Sequence, residues 1–162
     1  MATFVIPYRV GGKTRLGDPG LAAAMLADVR EAAGGDALVV DAPGGQGAAL
    51  ARALADLSGP VTIVNSDVPC VTRVELEQLA AAAPALVAAD DGTTNALALR
   101  DAADFEPLYG PGSAARFEQQ LGAVRLDLPG LRDDVDTWDD LERARPRVGR
   151  HTGSYLATPA CV

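Results

Sequence analysis

The chain has 162 residues and a mass of 16.6 kDa, the size of one domain and enough to bury roughly two-thirds of its unfolded surface. Hydrophobic residues make up 48% and charged residues 22%, which excludes wholesale disorder, and no apolar run approaches the ~20 residues that span a bilayer. The net charge of −8 and pI of about 4.5 create a field that repels nucleic acid and anionic membranes, so neither is an expected partner.

In chain order, residues 3–7 (TFVIP) read as a short buried strand. A loop follows from Tyr8 to Gly17. Asp18 caps a helix with Pro19 at its first position, and Leu21, Met25, Leu26 and Val29 recur at helical spacing up to Gly34-Gly35. Residues 37–40 are a strand, 41–47 (DAPGGQG) a Gly-rich turn, and about 48–57 a helix burying Leu50, Leu54 and Leu57. A third strand, 60–65, runs into Ser66-Asp67-Val68-Pro69. Thr72 and Glu75 form a capping box for a helix to about residue 83. Residues 85–89 and 95–99 are strands on either side of the turn Asp90-Asp91-Gly92. After PLYGPG, Ser113 caps a helix over 114–121, and 123–128 is a strand. Thr137 and Asp140 cap a last helix ending near Ala144. Residues 1–144 form one domain, and 145–162 read as a loosely ordered tail.

Strands alternating with helices predict an α/β fold with a mostly parallel sheet flanked by helices. Ligands then bind beyond the carboxyl ends of the strands, where the loops 8–17, 41–47, 66–70 and 110–113 fall. The N-terminus lacks the pattern of a signal peptide. The two cysteines, Cys70 and Cys161, have no metal-ligand spacing, which fits a reducing compartment. The location expected is cytoplasmic.

Only one of the 14 basic residues is Lys. Lys13 lies with Gly11, Gly12 and Arg15 in a loop that opens toward a helix, where backbone N–H groups and two cations suit phosphate. It is not a P-loop, since no glycine stands five positions before Gly12-Lys13. Asp67 directly follows an apolar strand, which aims a carboxylate into the ligand crevice, although turn aspartates are also common. Asp133, Asp134 and Asp136 would repel one another without a cation. Mg²⁺ takes such hard oxygen ligands, and the acids equally suit the dipole of the helix that follows. The expectation for Asp134-Val135-Asp136 is a local bend that brings both carboxylates to one ion. Gly110 to Ser113 with Arg116 offers a second anion site at a helix start or, equally, an ordinary capped helix. Thr94 and Asn95 lead into an apolar strand. The single histidine, His151, sits in the tail and is a poor base, and no Ser/His/Asp or thiol/histidine arrangement stands out.

Taken together, VIPYRVGGKTRL (5–16), MLADV (25–29), VNSDVP (64–69), TTNALALR (93–100), GPGSAARF (110–117) and DDVDTWDDL (133–141) resemble the 2-phospho-L-lactate guanylyltransferase family. Order and rough spacing agree over most of residues 4–144. The resemblance implies a Rossmann-like nucleotidyltransferase fold and a role in assembling the deazaflavin coenzyme F-420. A three-carbon phospho-acid (2-phospho-L-lactate, phosphoenolpyruvate or a relative) would attack the α-phosphorus of GTP and release pyrophosphate. By position, Asp67, Asp134 and Asp136 would hold Mg²⁺. Pro7, Gly11, Gly12, Lys13, Arg15 and Asp67 would surround the nucleotide, with Lys13, Arg15 and Asp67 closest to the chemistry. Thr94, Asn95, Gly110, Ser113 and Arg116 would receive the acceptor. The family's Gly-Leu-Asn stretch at the base reads Gly45-Gln46-Gly47 here, where Gln46 can still bond a purine edge. One βα unit is missing after the first helix, which opens a sheet edge that a second copy of the chain could cover. Alternatives of the same fold are another acceptor, such as a sugar phosphate or molybdopterin, or a nucleotide-binding relative without turnover.

Overall fold

The computed structural model describes residues 1–9, 16–42 and 45–159. The strands are β1 (Thr3–Tyr8), β2 (Leu38–Asp41), β3 (Val61–Val64), β4 (Ala85–Ala88), β5 (Thr94–Leu99) and β6 (Val124–Arg125). The helices are α1 (Pro19–Ala33), α2 (Gln46–Leu54), α3 (Arg73–Ala81), α4 (Ser113–Leu121), α5 (Pro129–Arg132), α6 (Trp138–Ala144) and α7 (Arg150–Ala157).

The strands form one sheet in the order β2-β1-β3-β5-β4-β6. The pairs β1–β2, β1–β3 and β4–β6 are parallel, and β5 is antiparallel to both of its neighbours. Five strands therefore run one way and β5 the other. This is the mostly parallel sheet that the alternation of elements predicts. The reversal has a consequence: β5 begins at the edge where β1, β2, β3 and β4 end, so Thr94 and Asn95 join the ligand-binding edge.

Alternating side chains divide the core into layers. On one face Ile6, Val64 and Val87 meet Val29 and Ala33 of α1, Leu76 and Leu79 of α3, and Leu131 of α5. On the other, Val5, Ile63, Leu86 and Leu97 meet Leu50 and Leu54 of α2 and Phe117 of α4. Burying each such side chain contributes about 1.5–3 kcal/mol. A third cluster joins Leu21 and Met25 of α1 to Cys70, Val135, Leu141 and Ala144. Three of the predicted caps stand in place. Asp18 accepts from Leu21 N at 3.0 Å, and Thr72/Glu75 and Thr137/Asp140 both close as capping boxes.

Three expectations are corrected. The strand predicted over 123–128 pairs only at Val124 and Arg125, and Pro129 then opens a short helix. Gly112, not Ser113, is the cap residue of α4. Residues 145–157, read as a loose tail, form a 3-10 turn and α7. Only Thr152 of α7 is buried, so apolar periodicity is weak there. The segment is held by polar contacts from distant residues, beside the packing of Val148 and Leu156 against the third cluster. Asp28 of α1 accepts from His151 N at 2.8 Å and Thr152 N at 3.0 Å, and Tyr155 donates its hydroxyl to Asp18 at 2.7 Å. On the far side of the sheet, α1 leads through β2 alone to α2, and β2 is the terminal strand.

Candidate functional site

β3 ends at Val64, and the turn that follows carries Asp67 to the edge of the sheet. Asp67 O accepts from Val135 N at 2.9 Å, which lays the 133–136 segment alongside. Val135 is buried in the core, so the residues on either side of it turn the other way. No bend is needed, contrary to expectation: residues i and i+2 of an extended segment share a face. Asp67, Asp134 and Asp136 thereby bring one carboxylate oxygen each to within 4.8 Å of one another.

Asp133 goes elsewhere. It accepts from Arg132 at 2.8 Å and from Arg147 at 2.9 Å. Burial pushes its carboxyl up, but the hydrogen bonds and charges of the two guanidiniums outweigh that and hold it below the usual carboxylate range. At the triad the balance is opposite. Burial, then the charges of Asp134 and Asp136, push the Asp67 carboxyl up to about 7. Burial and the charge of Asp136 also raise Asp134, partly countered by the Asn95 side chain. Asp67 Oδ1 is buried and accepts no hydrogen bond from the described residues. A buried oxygen without a donor, in a set of hard oxygen ligands, fits a divalent cation.

Two hollows border these acids. One of about 280 Å³ is lined by Pro7, Tyr8, Arg9, Ala42, Gly45, Gln46, Asn65, Ser66 and Asp67. The other, of about 510 Å³, includes Asp90, Asp91, Asp134, Asp136 and the guanidinium side chains of Arg132, Arg143 and Arg147. Gly11, Gly12, Lys13 and Arg15 lie outside the described residues. Pro7, Gly45, Gln46 and Asp67 come together at the first hollow.

The acceptor group is only partly brought together. Thr94 and Ser113 are buried, with their hydroxyl oxygens 2.9 Å apart. Gly110 and Gly112 have φ of +114° and +71°, a backbone that disfavours other residues. Arg116 is turned inward, donating to the carbonyls of Leu108, Tyr109 and Pro111, so it braces the loop. Asn95 donates to Leu131 O and Arg132 O, both at 3.0 Å. It ties β5 to the segment bearing Asp134. None of Thr94, Asn95, Gly110, Ser113 and Arg116 lines either hollow. Sequence reasoning missed Asn65, which accepts from Gln46 Nε2 at 2.7 Å. Its signal was its place directly before Ser66-Asp67. It also missed the three arginines of the second hollow, which nothing distinguishes in a chain rich in Arg. His151 is paired with Glu31 at 2.8 Å on the α1–α7 contact.

No family model matches the chain. Among curated proteins it is 38% identical over 148 residues to phosphoenolpyruvate guanylyltransferase of Nocardia farcinica, covering 78% of this chain and 65% of that one. It is 39% identical over 123 residues to the enzyme of that name from Streptomyces scabiei, covering 70% and 54%. The Streptomyces coelicolor protein so named is 37% identical over 143 residues, covering 78% and 66%. The chain thus spans less than two thirds of the length of these relatives. Among solved structures, a Desulfovibrio desulfuricans protein provisionally named a nucleotide-diphospho-sugar transferase superposes with a TM-score of 0.71 at 16% identity, covering 96% and 94% of the two chains. The 2-C-methyl-D-erythritol 4-phosphate cytidylyltransferase of Thermus thermophilus gives 0.55 at 19%, covering 88% and 96%. At such identities the likeness shows the fold alone. By sequence, then, this chain is similar to the phosphoenolpyruvate guanylyltransferases, and its fold is the one shared with the Desulfovibrio desulfuricans protein and the Thermus thermophilus cytidylyltransferase.

Proposed function

We propose that the chain is a Mg²⁺-dependent guanylyltransferase. It joins GMP from GTP to a three-carbon phospho-acid, phosphoenolpyruvate or 2-phospho-L-lactate, with release of pyrophosphate, in the assembly of coenzyme F-420. The observation that carries this reading is the convergence of Asp67, Asp134 and Asp136 from two distant segments, with a buried oxygen of Asp67 left without a donor among the described residues. The names of its relatives supply the guanylyl group and phosphoenolpyruvate, and the resemblance of the motifs supplies 2-phospho-L-lactate.

The problem this site must solve is electrostatic. The acceptor phosphate is already ionised at pH 7 and needs no general base, in keeping with a lone His151 engaged by Glu31. Bringing two polyanions together is the difficulty, since like unit charges 4 Å apart cost about 4 kcal/mol at an effective dielectric of 20. A bound Mg²⁺, held by Asp67, Asp134 and Asp136, supplies positive charge where negative charge accumulates on the α-phosphate. Lys13 and Arg15, with the amides of Gly11 and Gly12, grip the nucleotide phosphates. Pro7, Gly45 and Gln46 line the hollow beside Asp67, and the base and ribose occupy it. On the acceptor side, the loop from Gly110 to Ser113 receives the phospho-acid. The Thr94–Ser113 pair and Arg116 keep that loop in shape. Asn95 holds the Asp134 segment in register.

The test is pyrophosphate release with GTP, Mg²⁺ and a panel of phospho-acids. Release with phosphoenolpyruvate or 2-phospho-L-lactate supports the assignment. Turnover only with sugar phosphates moves the chain to another acceptor. Nucleotide binding with no release under any acceptor makes it a relative without turnover.

A further inference from the structure

Three carboxamides form a relay from the core to the first hollow, and backbone carbonyls fix its direction. A carboxamide's oxygen and nitrogen have nearly the same shape, so its partners alone decide which way it faces. Leu131 O and Arg132 O can only accept. Asn95 Nδ2 donates to both at 3.0 Å, which turns Asn95 Oδ1 the other way. Asn65 Nδ2 then donates to Asn95 Oδ1 at 3.5 Å and to Thr94 O at 3.3 Å. Asn65 Oδ1 is left facing Gln46 and takes Gln46 Nε2 at 2.7 Å. Flipping Gln46 would set two acceptors against each other at that distance. Gln46 Oε1 accepts from no described residue, and Gln46 lines the hollow of about 280 Å³.

We infer that Asn65 is a positioning residue for base choice: it locks Gln46 with Oε1 presented to the hollow, so the site favours guanine over adenine. The inference rests on the nucleotide site proposed above. Guanine's pairing edge offers two adjacent N–H donors, at N1 and at the 2-amino group. Adenine offers one N–H group beside a bare N1. A glutamine free to turn can meet adenine with its oxygen and nitrogen together. Held by Asn65, Gln46 keeps Oε1 and its one remaining Nε2 N–H in a fixed order, so it cannot turn to match adenine, whereas guanine supplies a donor to Oε1 at either position. A site built around one polar partner discriminates most when that partner cannot reorganise.

The experiment is calorimetric titration of the intact chain with Mg-GTP and Mg-ATP, for the parent, Asn65→Leu and Gln46→Leu, with melting curves for each. The parent binds GTP about tenfold or more tightly than ATP. Asn65→Leu narrows that ratio to about threefold or less by weakening GTP while ATP is unchanged or tighter, because the released Gln46 can turn. Gln46→Leu brings GTP down to the ATP level and decides the matter if Asn65→Leu does not fold. Equal weakening of both nucleotides in Asn65→Leu overturns the inference, because loss of structure alone would do that. Equal affinity of the parent for GTP and ATP also overturns it while leaving a nucleotide site. Absence of binding to either nucleotide overturns the nucleotide site itself, and the inference with it.

Discussion

Two acid-rich regions of this molecule treat carboxylates in opposite ways. Where α7 meets α1, Asp18, Asp28 and Glu31 each receive donors: the Tyr155 hydroxyl, the amides of His151 and Thr152, and the Arg150 and His151 side chains. At the triad, Asp67, Asp134 and Asp136 converge on one another, and Asp67 Oδ1 takes no donor from the described residues. Charge compensated from within the chain holds the fold. Burial, with two further carboxylates close by, raises the Asp67 carboxyl to about 7, and its donorless oxygen calls for a cation from outside. The same contrast separates neighbours in sequence, since Asp133 takes two arginines while Asp134 faces the triad.

The sharpest way to break this comparison is Asp67→Asn. Pyrophosphate release should fall by about 10²–10³-fold or more, while a thermal melt without metal shows no loss of stability. An unchanged rate would remove Asp67 from the metal site. Asp28→Ala should do the reverse. It strands two amides in a buried place and costs about 2–3 kcal/mol in denaturant unfolding, with the Mg²⁺ dependence of turnover unchanged.

The pH response separates the regions further. With the Asp67 carboxyl near 7 in the fold and near 3.8 when unfolded, the native state binds more protons across that interval. Stability of the metal-free protein therefore falls as pH rises from about 4 to 7. The melting temperature should drop by several degrees over this range, and Mg²⁺ or Asp67→Asn should flatten the curve. A flat profile in the metal-free protein would contradict the burial of that oxygen. Thr137→Ala removes the cap beside Asp136 and should cost about 1 kcal/mol in the same unfolding assay. Glu31→Gln should leave the melting curve where it is, because its ion pair with Arg150 lies at the surface.

Much of the fold was legible because its signals are local. Asp18-Pro19, Thr72-Glu75 and Thr137-Asp140 start helices by chemistry that spans four residues. The apolar runs at 61–64 and 96–99 are buried throughout, as their composition predicts. α7 was not legible. Its amides are capped by Asp28, more than a hundred residues earlier, and a close approach removes any room for a side chain at Gly149, where a Cβ would overlap the Asp28 carboxylate. Gly130 is similar, since a Cβ there would stand 2.6 Å from Cys70 O. These two glycines let the 129–149 segment lie against the chain that carries Asp67.

For the site, spacing alone marked Asp67 at the carboxyl end of a strand and the cluster Asp133, Asp134 and Asp136 ahead of a helix. It could not divide Asp133 from Asp134, because that choice depends on where Arg147 lands. Nor could it show that Asn65, Asn95 and Gln46 share one line of hydrogen bonds, or that Arg116 turns back on its own loop. Residue types and short-range spacing determine strands, helix starts and which charges are available. Pairing across the sheet and packing against it decide which of those charges find partners within the chain. Hydrogen bonds act over about 3 Å, so only the folded chain brings the two ends of each bond within reach.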